Sequence, residues 1–351
     1  MNKISWSLIQ WYDKNAYDFP WRKTTDVYKI WISEIMLQQT QVTTVVDYYN
    51  RWLKNFPNVE ILANANIHDV LKAWEGLGYY QRAHNIYNAA QTIMYDYKGQ
   101  FPTDYNVLLK LSGIGDYTAS AIMSIAYYKP YPAIDSNLKR VILRLAGIDD
   151  IKNIVDESKI FVKSLMNNYN ASKINQSLMD LGREVCLPKK PLCSLCPVEK
   201  FCYAKNEDEI VKYSIVSKSV KKPIYDVAVG MIWNKNKILI SKRKDKGLLG
   251  GLWELPGGKK EKSESFTACL KRELYEELNI KVDVDKTIGN IKHNYSHFGI
   301  NMRGFHCYVL SGSPKAISAQ KIKWIDLDHI KDYPFPKATL KLFEKAGCYS
   351  G

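Results

Sequence analysis

A chain of 351 residues has room for about two domains, each with its own core, so disulfide staples are not needed. With 46% apolar and 25% charged residues, and no run of about 18 apolar residues, it reads as globular with no membrane span expected. The net charge of +14 implies an anionic polymer as partner, with simple solubility as the plainer alternative. The start, MNKISWSLIQWYDK, has neither an apolar signal core nor a small-residue cleavage site. An intracellular, cytoplasmic monomer is therefore expected, associated with the nucleoid if the source is bacterial.

In chain order, residues 1–205 read as mostly helical. The segment DVYKIWISEIMLQQTQVTTVVDYYNRWL repeats apolar residues at helical spacing through Ile30, Trp31, Ile35, Leu37, Val42, Val45, Val46 and Tyr49. IHDVLKAWEGLG is a helix ended by glycines, and HNIYNAAQTIMYDY and TASAIMSIAYY continue the pattern until Pro130 and Pro132. SNLKRVILRLAG opens another helix behind an Asp or Ser cap. Residues 206–224 are charged and weakly periodic, as a linker would be. From Tyr225 the runs YDVAVGMIWN, KILISKR, GLWELP, FHCYVLSG and KIKWIDL read as strands around one helix, SFTACLKRELYEEL, giving an α+β domain over 225–351.

Several stretches carry chemistry. In WISEIMLQQTQV, Glu34 lies among Trp31, Ile32, Ile35 and Met36. It is either a partly buried, paired Glu or a carboxyl whose pKa is raised by burial so that it protonates a leaving group. LSGIGDYTASAI, residues 111–122, places Gly113 and Gly115 between helical stretches, where amides can converge on a phosphate as in a helix-hairpin-helix. Asp135 in AIDSNLKRV is an N-cap, or also the carboxylate that steadies an electron-poor sugar. Cys186, Cys193, Cys196 and Cys202 have the spacing C-x6-C-x2-C-x5-C, which points to a four-iron cluster, with zinc or unligated thiols as alternatives. Lys189, Lys190 and Lys200 make the same loop basic.

The thiol spacing is that of the endonuclease III-like DNA glycosylases, and the string SEIMLQQTQV resembles the MutY-type adenine DNA glycosylases, which act on adenine opposite 8-oxoguanine. The resemblance implies an all-α helix-hairpin-helix glycosylase domain with a 4Fe-4S loop at 186–202, then a Nudix-like lesion-recognition domain. It places the general acid on Glu34, the sugar-stabilising carboxylate on Asp135, its partner on Asn137 and an active-site tyrosine on Tyr117. Trp21, Arg22 and Asp180 fall on adenine-pocket positions, and Gln38 and Tyr79 on residues that enter the base stack. Ser296 and His297, in HNYSHFGI, fall on the segment that reads 8-oxoguanine; a plain polar loop is the alternative. Duplex DNA bearing adenine opposite 8-oxoguanine or guanine is the implied partner. Tyr117 also occupies the position of the Schiff-base lysine of the bifunctional endonuclease III type, which implies a monofunctional glycosylase or weak lyase. One departure from the family stands out: Ser136 replaces the usual glycine after the catalytic Asp.

GKKEKSESFTACLKRELYEELNI, from Gly258 to Ile280, also matches the Nudix box, with Asn279 in place of the late glycine. Glu273, Glu276 and Glu277 share one helical face, where they could hold Mg²⁺ against a diphosphate or simply form a solvated acidic face. The competing functions are a Mg²⁺-dependent nucleotide hydrolase, an endonuclease III-like lyase for oxidised pyrimidines and a noncatalytic redox-sensing DNA binder.

Overall fold

A computed structural model describes residues 3–149, 153–213, 222–295 and 297–349, and the chain divides into two compact units. One comprises Met1–Asn64 and Asn85–Lys218; the other comprises Ala65–His84 and Ser219–Gly351.

The first unit is helical. The Val27–Leu37 helix begins at Asp26, whose side chain accepts the N–H groups of Tyr28 and Lys29. Every residue from Tyr28 to Met36 except Lys29 is buried, so this helix runs through the core and carries Glu34 inside. The apolar periodicity of residues 26–53 reads as continuously helical, but the structure interrupts it after Leu37. Gln39 adopts φ +56, and helix resumes at Val42–Asn55. That interruption turns Gln38, Gln39 and Thr40 into a cavity wall.

The Ser136–Ala146 helix is capped by Asp135 and ends at Gly147, where φ is +69 and a Cβ would strike the Tyr203 ring at 2.6 Å. The Ala171–Glu184 helix packs on it. A Cβ at Gly182 would lie 2.9 Å from the Asn137 Cβ, so glycine sets how closely the two helices approach. Leu138, Ile142, Leu178, Leu181 and Val198 form the core here, with Cys186, Cys196 and Cys202 against it. Residues 207–213, expected as linker, fold back onto this unit: Tyr213 is buried against Leu143 and Ala204. Residues 214–221 of the expected linker lie outside the described residues.

The second unit is built on a mixed sheet. Its described strands are β1 (Ile224–Asn234), β2 (Lys237–Lys242), β3 (Trp253–Glu254), β4 (Gly257–Lys259), β5 (Lys281–Asn294), β6 (Gly299–Ser311) and β7 (Lys321–Asp326). The order is β3-β2-β1-β6-β5, with β4 paired to β1 and β7 to β2; only the β1–β6 pairing is parallel among these. Alternation along β1 fills two cores. Ala228 and Ile232 meet Leu270 and Leu274 of the Phe266–Leu278 helix, while Val229 and Met231 join Phe335, Leu342 and Phe343 beside the Lys337–Lys345 helix. The Phe266–Leu278 helix closes at Asn279 in the left-handed region, φ +55, the conformation that the missing Nudix glycine would supply.

The segment Ala65–His84 reads from sequence as part of the helical domain. In the structure it groups with the sheet, because its side chains bond backbone atoms of residues 332–335 and 250.

Candidate active site

Eight of the residues singled out in the sequence converge on one cavity of about 490 Å³ in the helical unit: Trp21, Arg22, Glu34, Gln38, Tyr117, Asp135, Asn137 and Asp180. They come from five separate elements. The Pro20–Arg22 turn supplies Trp21 and Arg22; the buried Val27–Leu37 helix supplies Glu34 and, at its end, Gln38. Tyr117 follows the hairpin on the Asp116–Ile125 helix, Asp135 and Asn137 begin the next helix, and Asp180 lies on Ala171–Glu184.

Glu34 is 6% exposed, and Tyr117 donates a hydrogen bond from its Oη to Glu34 Oε2 at 2.9 Å. Burial pushes the carboxyl pKa from 4.5 up to about 7; the Tyr117 bond opposes the rise and the Asp135 charge adds to it. Asp135 is held differently. Its Oδ1 accepts the Leu138 N–H at 2.6 Å and its Oδ2 accepts from Asn137 Nδ2 at 3.3 Å. Burial raises its pKa too, but these two donors stabilise the anion and work against burial. One cavity therefore holds two carboxyl groups of opposite character, one poised to carry a proton and one provided with donors.

Arg140 fixes Asn137 in turn: its Nη2 donates to Asn137 Oδ1 at 3.1 Å and to the Gly182 carbonyl, and its Nε donates to the Cys186 carbonyl at 2.8 Å. On the far wall Arg22 Nη2 donates to Asp180 Oδ1 at 2.7 Å. Arg22 Nε and Asp180 Oδ2 are buried without a protein partner, so each has hydrogen-bonding capacity left for a polar guest. Phe19 and Trp21 stack at 5.1 Å, and Gln38 Nε2 donates to Thr118 Oγ1 at 3.1 Å.

Sequence reasoning missed Arg183, Phe19, Gln176 and Met179, which also line the cavity. Arg183 was within reach of it: three residues after Asp180 on a helix, it meets the same carboxylate oxygen at 3.1 Å and lies over the rings of Tyr17 and Phe19. Ser136 lines the cavity as well.

The hairpin has the expected geometry. Gly113 takes φ +75, and a Cβ there would fall 2.6 Å from the Asn85 Cβ. Gly115 caps the Asp116–Ile125 helix, and a Cβ on it would meet nothing within 4 Å, so the surface over these amides is open. Tyr79 and His297 lie in the other unit, both exposed, and Ser296 lies outside the described residues.

Cys186, Cys193, Cys196 and Cys202 surround a second, small cavity of about 30 Å³. Arg144 Nη1 donates to Cys186 Sγ at 3.3 Å and to the Leu187 carbonyl at 2.8 Å. Burial pushes the Cys196 thiol up to about 12, with Cys186, Cys202 and Cys193 adding to the rise. Among the described residues, no three His, Cys, Asp or Glu side chains converge closely enough to hold a single metal ion. That includes Glu273, Glu276 and Glu277. Arg272 Nη1 meets Glu273 at 2.9 Å and Glu276 at 3.2 Å, while Glu277 Oε1 accepts from Ser318 Oγ at 3.0 Å. The arginine of the box thus pairs with two of the three carboxylates.

A hairpin whose second helix supplies Tyr117 to a cavity with a buried acid and a donor-held carboxylate fits a helix-hairpin-helix DNA glycosylase. Residues 32–165 match the family model described as HhH-GPD superfamily base excision DNA repair protein, and residues 228–345 match that of the NUDIX domain. The adenine DNA glycosylase of Buchnera aphidicola subsp. Acyrthosiphon pisum is 33% identical over 343 residues, covering 96% of this chain and 95% of that protein. The adenine DNA glycosylase of Homo sapiens is 28% identical over 400 residues, covering 96% of this chain and 72% of that one. Among solved structures, a thermostable thymine-DNA glycosylase is 28% identical with a TM-score of 0.55, covering 58% of this chain and 95% of its own. A trapped endonuclease III–DNA covalent intermediate, at 19% identity, covers 58% of this chain and 94% of its own; with a TM-score of 0.51 it shares the fold. The chain belongs to the adenine DNA glycosylase family.

Proposed function

We propose that this protein removes adenine mispaired with 8-oxoguanine, or with guanine, from duplex DNA by acid-assisted hydrolysis of the N-glycosidic bond. The observation that carries the reading is Glu34: buried in a cavity large enough to admit a nucleobase, hydrogen-bonded to Tyr117, its pKa pushed up to about 7 by burial, and sharing that cavity with Asp135. An extruded adenine enters between Trp21 and the Arg22–Asp180 pair, whose unpartnered buried atoms match a base with both donors and acceptors. Because Tyr117 donates to Oε2, the proton of Glu34 sits on Oε1, from which it passes to a ring nitrogen of the base. The glycosidic electron pair leaves with adenine as a neutral molecule. Asp135, whose anion the Leu138 N–H and Asn137 amide stabilise, faces the oxocarbenium-like sugar until water adds, and the proton that the water loses replaces the one given up by Glu34. Tyr117 offers no amine for a Schiff base, so the product is an abasic site rather than a nicked strand. Hairpin amides at Gly113 and Gly115 hold a phosphate, Gln38 and Tyr79 fill the gap left by the extruded base, and Ser296 with His297 reads the base opposite.

Cys186, Cys193, Cys196 and Cys202 suit a 4Fe-4S cluster, in which each thiolate binds a different iron around a cubane. The reading is supported by four thiols that surround a cavity rather than a point. The cluster would supply rigidity to a loop whose lysines face DNA phosphates. Iron and acid-labile sulfide in the purified chain test this; zinc in their place would overturn it. The Nudix-like domain serves as reader. Phosphate or pyrophosphate release from oxidised dGTP with Mg²⁺, lost in Glu276→Gln, would instead favour hydrolysis. The main test is a duplex with adenine opposite 8-oxoguanine, treated with alkali after incubation. Cleavage at the adenine only after alkali is expected. An intact strand, or borohydride trapping on oxidised-pyrimidine duplexes, would contradict the proposal.

A further inference from the structure

The loop carrying Tyr79 is strained and tied down on two sides. Tyr79 adopts φ +50, between Gly76 at φ +90, Gly78 at φ +77 and the helix Gln81–Tyr97. A bulky residue stays in the left-handed region only where its surroundings over-determine it. Arg82, 8% exposed, provides one restraint. Its Nη2 donates to the carbonyls of Leu77 at 3.3 Å and Gly78 at 3.1 Å. Its guanidinium lies 5.1 Å from the centre of the Trp74 ring and 5.5 Å from that of Tyr79, and Trp74 Nε1 donates to the same Gly78 carbonyl at 3.0 Å. The Tyr79 ring itself stays 38% exposed. The backbone is fixed while the ring is presented.

The second restraint runs to residues 333–335. Glu75 Oε1 accepts the Phe335 N–H at 2.7 Å, and Glu75 Oε2 pairs with Lys72 at 2.7 Å. Lys72 Nζ also donates to the Tyr333 carbonyl at 3.1 Å. Tyr80 Oη accepts the Gly76 N–H at 3.0 Å and donates to the Phe335 carbonyl. Phe335 is fully buried in the core against which Tyr295 and Phe298 pack, and these two residues flank the segment assigned to reading the base opposite adenine. Hydrogen bonds thus tie the Tyr79 loop to Phe335, which belongs to the core that Tyr295 packs against.

We propose that Glu75 and Arg82 are positioning residues that make the Tyr79 ring an extension of the C-terminal unit, so that one rigid body both reads the opposite base and opens the base step. The inference rests on the reading of Tyr79 as a wedge, and it adds that the wedge is set by the reader rather than by the catalytic unit. Continuity of contacts alone does not establish coupling; a mutant cycle does.

The test uses the full chain and duplexes with 2-aminopurine in place of adenine opposite 8-oxoguanine, whose fluorescence rise reports extrusion, alongside single-turnover excision from adenine duplexes. Arg82→Lys keeps the charge but loses the planar fork, and Glu75→Ala removes the tie to Phe335. Each, like Tyr79→Ala, should slow extrusion on the order of 10-fold, as expected for a misplaced positioning group. Combined with Tyr79→Ala, neither should slow it further. Losses that multiply would mean the two residues act elsewhere and would overturn the inference. Normal extrusion in Arg82→Lys and Glu75→Ala, with Tyr79→Ala slow, would sink the positioning role and leave the wedge standing. If Tyr79→Ala extrudes normally, the wedge reading fails and this inference fails with it. Should Glu75→Ala not fold, the conservative Arg82→Lys cycle decides alone.

Discussion

Replacing Glu34 with glutamine should make the helical unit more stable while destroying its chemistry. Glu34 is 6% exposed, and burial raises its pKa from 4.5 to about 7. Between those two values the native protein holds a proton that the unfolded chain has released, so stability falls as pH rises through that window. A rise from 4.5 to about 7 corresponds to about 3 kcal/mol of native-state penalty once the pH exceeds 7. Glutamine mimics the protonated acid in shape and cannot ionise, so it escapes the penalty. Relative to the unsubstituted protein, Glu34→Gln should gain roughly 1 kcal/mol at pH 5 and about 3 kcal/mol at pH 8. Urea unfolding of both chains at the two pH values, followed by helical circular dichroism, measures it. A difference that does not change with pH would refute the claim that Glu34 sits protonated in a dry site, whatever the activity.

Excision by the unsubstituted protein under single-turnover conditions should fall roughly 10-fold per pH unit above about 7 as Glu34 loses its proton; a flat profile to pH 9 would argue against a general acid. Asp180→Ala removes the buried carboxylate that the part-buried guanidiniums of Arg22 and Arg183 share, so a loss of about 2 kcal/mol in thermal unfolding is expected, and unchanged stability would contradict the pairing. Ser296→Ala should narrow the preference for adenine opposite 8-oxoguanine over adenine opposite guanine by on the order of 10-fold, through loss of one hydrogen bond; equal rates of loss on both duplexes would count against lesion reading.

Much of the site was legible because its chemistry needs particular residue types at fixed spacing. A Glu inside an apolar helix, a Gly-x-Gly turn and an Asp cap followed by Asn can be seen in the letters, and Trp21 and Arg22 were reached through resemblance. The helix break at Gln38–Gln41 was not legible, because neither glycine nor proline marks it; tertiary packing places Gln39 in the left-handed region. Strand β5 escaped because it is largely exposed: Val282 and Ile291 alone are buried among its fourteen residues. That Ala65–His84 groups with the sheet unit, although it falls within the matched helix-hairpin-helix stretch, was not legible for a similar reason. Its ties to the sheet unit end on backbone atoms of Asp332, Tyr333, Phe335 and Gly250, and backbone partners leave no signature in the side chains of a sequence. The three glutamates of the Nudix box were read correctly as one face, but the pull of Arg272 depends on rotamers that spacing does not reveal.

The most direct measurement is the release of adenine base, separated by chromatography, from a duplex with adenine opposite 8-oxoguanine under excess enzyme. The unsubstituted chain should liberate it, and Glu34→Gln should bind the same duplex with little change in affinity while releasing none. Adenine release at an undiminished rate by Glu34→Gln would contradict the account at its centre.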